Sequence, residues 1–282
     1  MTTYAVTGAS GHLGRLAVEE LLDRGTSPND IVAIVRTPAK AAALAERGVQ
    51  VRAGDYEDPA SLDAALDGVT HLLLVSSSEV GKRAAQHQNV IEAAKRAGVR
   101  RIAYTSLLRA DTSPLGLAPE HKATEELLAA SGIAHSLLRN GWYFENYTAQ
   151  LDSYLATGTV LHAAGEGKIA AASRADLAAA AVVALRTDTA DRTVYELGGA
   201  AFTNAQLAEA ISAATGKSVT AKNVTADELA QALIGAGLDE GTVGFLTSVD
   251  TDIAAGALDT DSTDLAKLIG RTPQTLADVL GK

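Results

Sequence analysis

The first half of the chain alternates short apolar runs with stretches in which apolar residues recur every three or four positions. Tyr4–Thr7, Ile31–Val35, Gln50–Ala53, His71–Val75, Arg101–Thr105 and His135–Leu138 have the length and composition of strands. Between them, Arg15–Asp23, Pro38–Glu46, Ser61–Leu66, Ala84–Ala97 and Pro119–Ala130 carry the helical period. Gly25, Gly48, Gly68, Gly98 and Gly132 follow these stretches and suit the left-handed position that closes a helix. Strands alternating with helices pair in parallel through right-handed crossovers. The pattern therefore predicts an α/β fold, a doubly wound parallel sheet of the Rossmann type.

After Gly141 the rhythm loosens. Thr159–Ala163 and Thr193–Leu197 read as strands on either side of an alanine-rich helix near 175–186. Thr203 with Gln206, and Thr225 with Glu228, form capping boxes that each open a helix. Thr272-Pro273 is read as the opening of a last helix, with proline in its first turn. These elements predict a smaller C-terminal α/β lobe over the carboxyl edge of the sheet. The most apolar run, Ala175–Leu185, contains Asp176 and falls well short of the roughly 20 apolar residues of a membrane-spanning helix.

Composition narrows the chemistry. Of 282 residues, 24 are Lys or Arg and 34 are Asp or Glu, a net charge of 24 − 34 = −10. Such a surface repels phosphate backbones and anionic lipid, which argues against nucleic-acid and membrane binding. Cysteine is absent, which excludes disulfides and thiolate chemistry and fits a reducing compartment. The N-terminus enters a strand at once, with no secretion signal. A cytoplasmic location is the expectation. No histidine spacing suggests a metal.

The run YAVTGASGHLGRLAVEELL places Gly8, Gly11 and Gly14 between the first strand and the first helix. Gly8 permits the tight turn, Gly11 lets backbone approach a pyrophosphate, and Gly14 lets the helix pack close to the sheet. Ser10, His12 and Leu13 share this loop. The spacing is G-x-x-G-x-x-G, as in extended and atypical short-chain dehydrogenases. Strand two ends Val35-Arg36-Thr37-Pro38-Ala39-Lys40, with no carboxylate for the ribose hydroxyls of NAD. Arg36 instead suits a 2′-phosphate, and Lys40 adds charge beside it. NADPH (or NADP+) is the expected cofactor, with NADH weaker. Asp55 after strand three can accept from the adenine amino group, or simply belong to a turn. Ser76 and Ser77 after strand four lie near the ribose, or cap the next helix.

Strand five ends Tyr104-Thr105-Ser106, where a short-chain reductase polarises its substrate. No tyrosine in the chain has lysine four residues on, so the usual Tyr-x-x-x-Lys proton donor is missing. Lys122 is a ribose clamp or a surface lysine pairing with Glu126. His121 is a general acid or merely solvated. Reducing an ordinary ketone yields a strongly basic alkoxide and calls for an acid. A quinone yields phenolic oxygens with a pKa of about 10, which take protons from water, so a quinone is compatible with this site.

LLRNGWYFENY (137–147), with TSPLGLAPEHKATE (112–125), GEGKIAAASRADLAAAA (165–181) and LAKLIGRTP (265–273), resembles the NmrA-like branch of atypical short-chain dehydrogenases. Within that branch the chain is most similar to the bacterial type 2 NAD(P)H:quinone oxidoreductases, across essentially its whole length. The resemblance implies a dinucleotide-binding Rossmann domain over 1–140, with 157–198, and a substrate-binding lobe from 141–156 and 199–282. It implies direct hydride transfer to a quinone, without flavin or metal. Asn140 and Gly141 would lie beside the nicotinamide, and Thr105 and Ser106 near the cofactor. Trp142, Tyr143, Phe144, Asn146 and Tyr147 would line the quinone pocket. Four of the six positions 142–147 are aromatic, and a flat substrate suits such stacking surfaces, although the same rings could wedge the two lobes together. The other reading is an NADP-binding redox sensor without turnover. A homodimer is left open.

Overall fold

Seven parallel strands make the central sheet: β1 (Tyr4–Thr7), β2 (Ile31–Val35), β3 (Gln50–Ala53), β4 (His71–Leu74), β5 (Arg101–Leu107), β6 (Ala134–Asn140) and, after three further strands, β10 (Arg192–Leu197). Their order is β10-β6-β5-β4-β1-β2-β3. This computed structural model describes residues 2–187 and 192–281. Alternate residues face opposite sides. Val6, Ala33, Leu73, Ala103 and Leu138 join one core, and Ala5, Val32, Leu72, Ile102 and Leu137 the other. Both faces are covered, which is why the inner strands β1, β2 and β4 read as apolar runs, while the edge strands β3 and β10 are partly exposed.

Helices α1 (His12–Asp23), α2 (Ala42–Glu46), α3 (Pro59–Ala65), α4 (Arg83–Ala97) and α5 (Ala118–Ser131) follow β1 to β5 in turn. The stretch read as one helix from Pro38 is a 3-10 turn, Pro38–Ala41, running into α2. The five helix-closing glycines all take positive φ.

The rest comprises β7 (Trp142–Tyr143), α6 (Glu145–Thr148), α7 (Leu151–Thr157), β8 (Thr159–His162), β9 (Ala171–Ala172), α8 (Arg174–Arg186), α9 (Asn204–Thr215), β11 (Thr220–Asn223), α10 (Ala226–Gly235), α11 (Glu240–Ala254), α12 (Asp264–Ile269) and α13 (Leu276–Leu280). Residues 157–198 divide between the two parts. β10 pairs with β6 and α8 packs against α1, whereas β8 pairs with β11 outside the main sheet. Both capping boxes are present. Thr272-Pro273 opens no helix; α13 starts four residues later with its own box, Thr275 with Asp278. Residues 271–274 instead dock on the fully buried Asp176 of α8, whose carboxylate accepts from Arg271 and from the Gln274 N–H at 2.7 Å. A buried carboxylate needs such partners, and docking on it takes the backbone of the segment out of helical register.

Candidate active site

The strand order reverses direction between β1 and β4, so the loops leaving their carboxyl ends diverge and open a crevice. Ligands of open α/β sheets sit at such a switch point. Here the crevice is a cleft of about 370 Å³ lined by Gly8, Ser10, Gly11, His12, Leu13 and Gly14, and, from other loops, by Arg36, Asp55, Ser76 and Ser77. Ten of the sequence-derived cofactor residues thus share one cavity.

The loop is shaped to leave its helix end open. Gly8 holds φ +59 and its carbonyl accepts from the Gly11 N–H at 2.9 Å. A Cβ on Gly14 would lie 2.4 Å from the Gly8 carbonyl oxygen. Gly11 caps α1 without a side-chain bond, and no acidic residue occupies the first turn. The N–H groups there are left for an anionic ligand. These features fit a dinucleotide pyrophosphate.

The opposite wall is held from behind. Thr7 Oγ1 accepts from the Val75 N–H at 3.0 Å, and Thr105 Oγ1 from the Ser76 N–H at 2.8 Å. Tyr56 donates its hydroxyl to the Val75 carbonyl at 2.8 Å. His87 Nε2 accepts from the Ser77 N–H at 3.0 Å, which places its proton on Nδ1, toward Thr124 Oγ1 at 2.9 Å. The sequence offered no signal for Thr7, Tyr56 or His87, because each acts on backbone remote in the chain.

Several expected residues lie elsewhere. Lys40 and Lys122 are exposed and line neither this cleft nor the larger one described below. His121 is not a solvated first-turn residue. It is buried, with Nδ1 2.7 Å from the Tyr104 hydroxyl, and burial pulls its pKa down to about 3. A neutral, enclosed imidazole does not serve as an acid toward either cleft. Thr105 and Ser106 are buried beneath the cleft, the latter donating to Glu125 at 2.6 Å. Glu125 in turn pairs with Arg139 at 2.7 Å, and Arg139 reaches Glu196 at 3.0 Å. This buried network joins α5, β6 and β10. Asn140 is buried, and Gly141 is required by packing, since a Cβ there would meet the Ala170 carbonyl oxygen at 2.2 Å.

A second, larger cleft of about 870 Å³ lies between α1 and the lobe. Trp142, Asn146 and Tyr147 line it, together with His12, His162 and Asp250. Its far wall is apolar, from α10 and α11. Tyr143 and Phe144 do not line it. Phe144 is fully buried and stacks on Phe202 with centroids 5.9 Å apart, so it wedges the lobe core. Tyr143 lies under the Arg174 guanidinium, 4.6 Å from its ring centre. Arg174 also donates to Asn146 Oδ1 at 2.9 Å. Asp250 accepts from the Ala163 N–H at 2.7 Å, and burial raises its pKa. Arg174, His162 and Asp250 had no sequence signal, because α8, β8 and α11 meet only in three dimensions. Among the described residues no cluster could hold a metal ion, and no helix is long and apolar enough to cross a membrane.

A family model described as NAD(P)H-binding matches residues 8–188. Quinone oxidoreductase 2 of Escherichia coli K12 is 52% identical over 97% of this chain and 96% of its own. The crystal structure of the E. coli NADPH-dependent quinone oxidoreductase with NADPH superposes with a TM-score of 0.94, covering 99% of this chain and 98% of that one. The Citrobacter triphenylmethane reductase complexed with NADP(H) also gives 0.94, at 35% identity over 99% of both chains. With the glycine cradle at the switch point and these likenesses along nearly its whole length, the chain belongs to the NmrA-like NAD(P)H-binding family that includes quinone oxidoreductase 2.

Proposed function

We propose that the protein reduces quinones with NADPH by direct hydride transfer, without flavin or metal. The observation that carries this is the uncapped N-terminus of α1 inside a glycine cradle, with Arg36 facing the same cleft. The dinucleotide part holds the cofactor and the lobe holds the quinone. The α1 N–H groups take the pyrophosphate, which Gly11 lets come close, Arg36 the 2′-phosphate, and Asp55, Ser76 and Ser77 the adenosine end. Bound NADPH supplies the hydride. His12 borders both cavities and marks where they communicate. Trp142 and Tyr147 offer stacking faces to a flat ring, while the lobe's apolar wall excludes water and positions the quinone. The reduced oxygens, weakly basic, take protons from water. A cytoplasmic location and a small-molecule partner follow from this reading.

The test is steady-state NADPH oxidation with benzoquinones by the wild type and Arg36→Ala. The variant should raise the NADPH KM at least tenfold and leave the NADH KM within twofold. Equal effects would remove the 2′-phosphate contact, and tight NADP+ binding with no turnover across a quinone panel would make the protein a sensor.

A further inference from the structure

Arg36 already has an anionic partner. Its guanidinium lies 3.1 Å from Glu79 Oε1, across the mouth of the nucleotide cleft, and both residues line that cleft. The two come from different loops, one after β2 and one after β4. A 2′-phosphate that pairs with Arg36 must therefore compete with a carboxylate that is in place beforehand.

The surroundings make the exchange easy for Glu79. Its other oxygen, Oε2, lies 3.2 Å from Gln86 Nε2 and 3.6 Å from Lys82 Nζ. Lys82 also holds Glu57 at 2.9 Å. On losing Arg36, the Glu79 carboxylate keeps an ammonium and an amide donor and is not stranded. The four charges Arg36, Lys82, Glu57 and Glu79 sum to zero, so a nucleotide without a 2′-phosphate meets a neutral, self-satisfied cluster. A phosphate shifts the pairing: Arg36 turns to the ligand, and Glu79 settles on Lys82 and Gln86. Glu79 is fixed for this by its own N–H, donated to Ser77 Oγ at 3.1 Å.

We propose that Glu79 is a specificity-determining residue for the dinucleotide: it occupies Arg36 until a 2′-phosphate displaces it, and so sets the strength of the preference for the phosphorylated form. This rests on the reading of Arg36 as the 2′-phosphate ligand. The Arg36 and Glu79 side chains are 68% and 35% exposed, and an exposed pair is worth at most ~1 kcal/mol, or about fivefold in affinity.

Calorimetric titration with adenosine 2′,5′-bisphosphate and with ADP, using wild type, Glu79→Gln, Arg36→Ala and the double variant, tests it. Glu79→Gln should bind the 2′,5′-bisphosphate about two- to fivefold more tightly and ADP as before. In the Arg36→Ala background the same change should have no effect, because the pair it breaks is gone. Weaker binding by Glu79→Gln would mean that Glu79 preorganises Arg36, and would overturn the proposal. An equal gain in both backgrounds would mean simple removal of charge, and would also overturn it. If Arg36→Ala leaves wild-type binding of the 2′,5′-bisphosphate unchanged, the phosphate assignment itself fails, a separate result.

Discussion

The two clefts that share His12 are built by different means. The smaller is framed by loops leaving the carboxyl ends of adjacent parallel strands, with the glycine loop after β1 as its floor. The larger is made of side chains from α1, α6, α8, β8 and α11, which lie far apart in sequence. A site framed by local turns can be specified by a short motif; a site framed by packing cannot. The first is the more resistant to change at any one side chain, and the second depends on how α1, α8 and α11 are packed together.

The largest effect concerns what lies beneath the nucleotide cleft. His87 and His121 are held down to about 3, chiefly by burial. Both side chains take up protons near 6.5 once unfolded. Between those values the unfolded chain binds the extra protons, so stability falls as pH drops from about 6.5 toward 3. The slope is up to ~1.4 kcal/mol per pH unit for each histidine. Melting temperatures across that window check the sign, and a flat profile would show that these imidazoles are open to water. Next is Phe144→Ala, which should destabilise the fold by ~3–5 kcal/mol as a core cavity while nucleotide affinity stays within twofold. Preserved stability with impaired quinone use would return Phe144 to the substrate wall. The smallest is Lys122→Ala, expected to change stability by less than ~0.5 kcal/mol and NADP+ affinity by less than twofold. A large loss of affinity in a titration would restore its role as a ribose clamp.

How legible each part was follows the same division. β1, β2 and β3 match their sequence-derived limits; β2 is an uninterrupted apolar run buried throughout, whereas β3, at the sheet edge, is partly exposed and is marked by the glycines that flank it, Gly48 and Gly54. The glycine loop and Arg36 line one cleft at the switch point, and both were read from neighbours in sequence. His121 illustrates the failure. Its position in a first helical turn suggested solvent, and only the packing of α5 on β5 places it against Tyr104. The aromatic run at 142–147 showed that rings gather there, but not which of them face a cavity. Trp142 and Tyr147 do; Phe144 turns into the core. α11 and β11 went unforeseen, since no capping box opens α11 and the four residues of β11 are mostly polar and exposed.

The attachment of the lobe limits how it can respond to a substrate. The chain passes outward at Gly141, returns through α8, passes outward again after β10, and comes back once more at α12, which packs on α8. Asp176 then clamps the stretch after α12 through Arg271 and Gln274. A module tethered at so many points has no single hinge to swing about. The hairpin of α10 and α11 is seated as well, since Val249 and Ile253 enter the lobe core and Asp250 accepts from the Ala163 N–H.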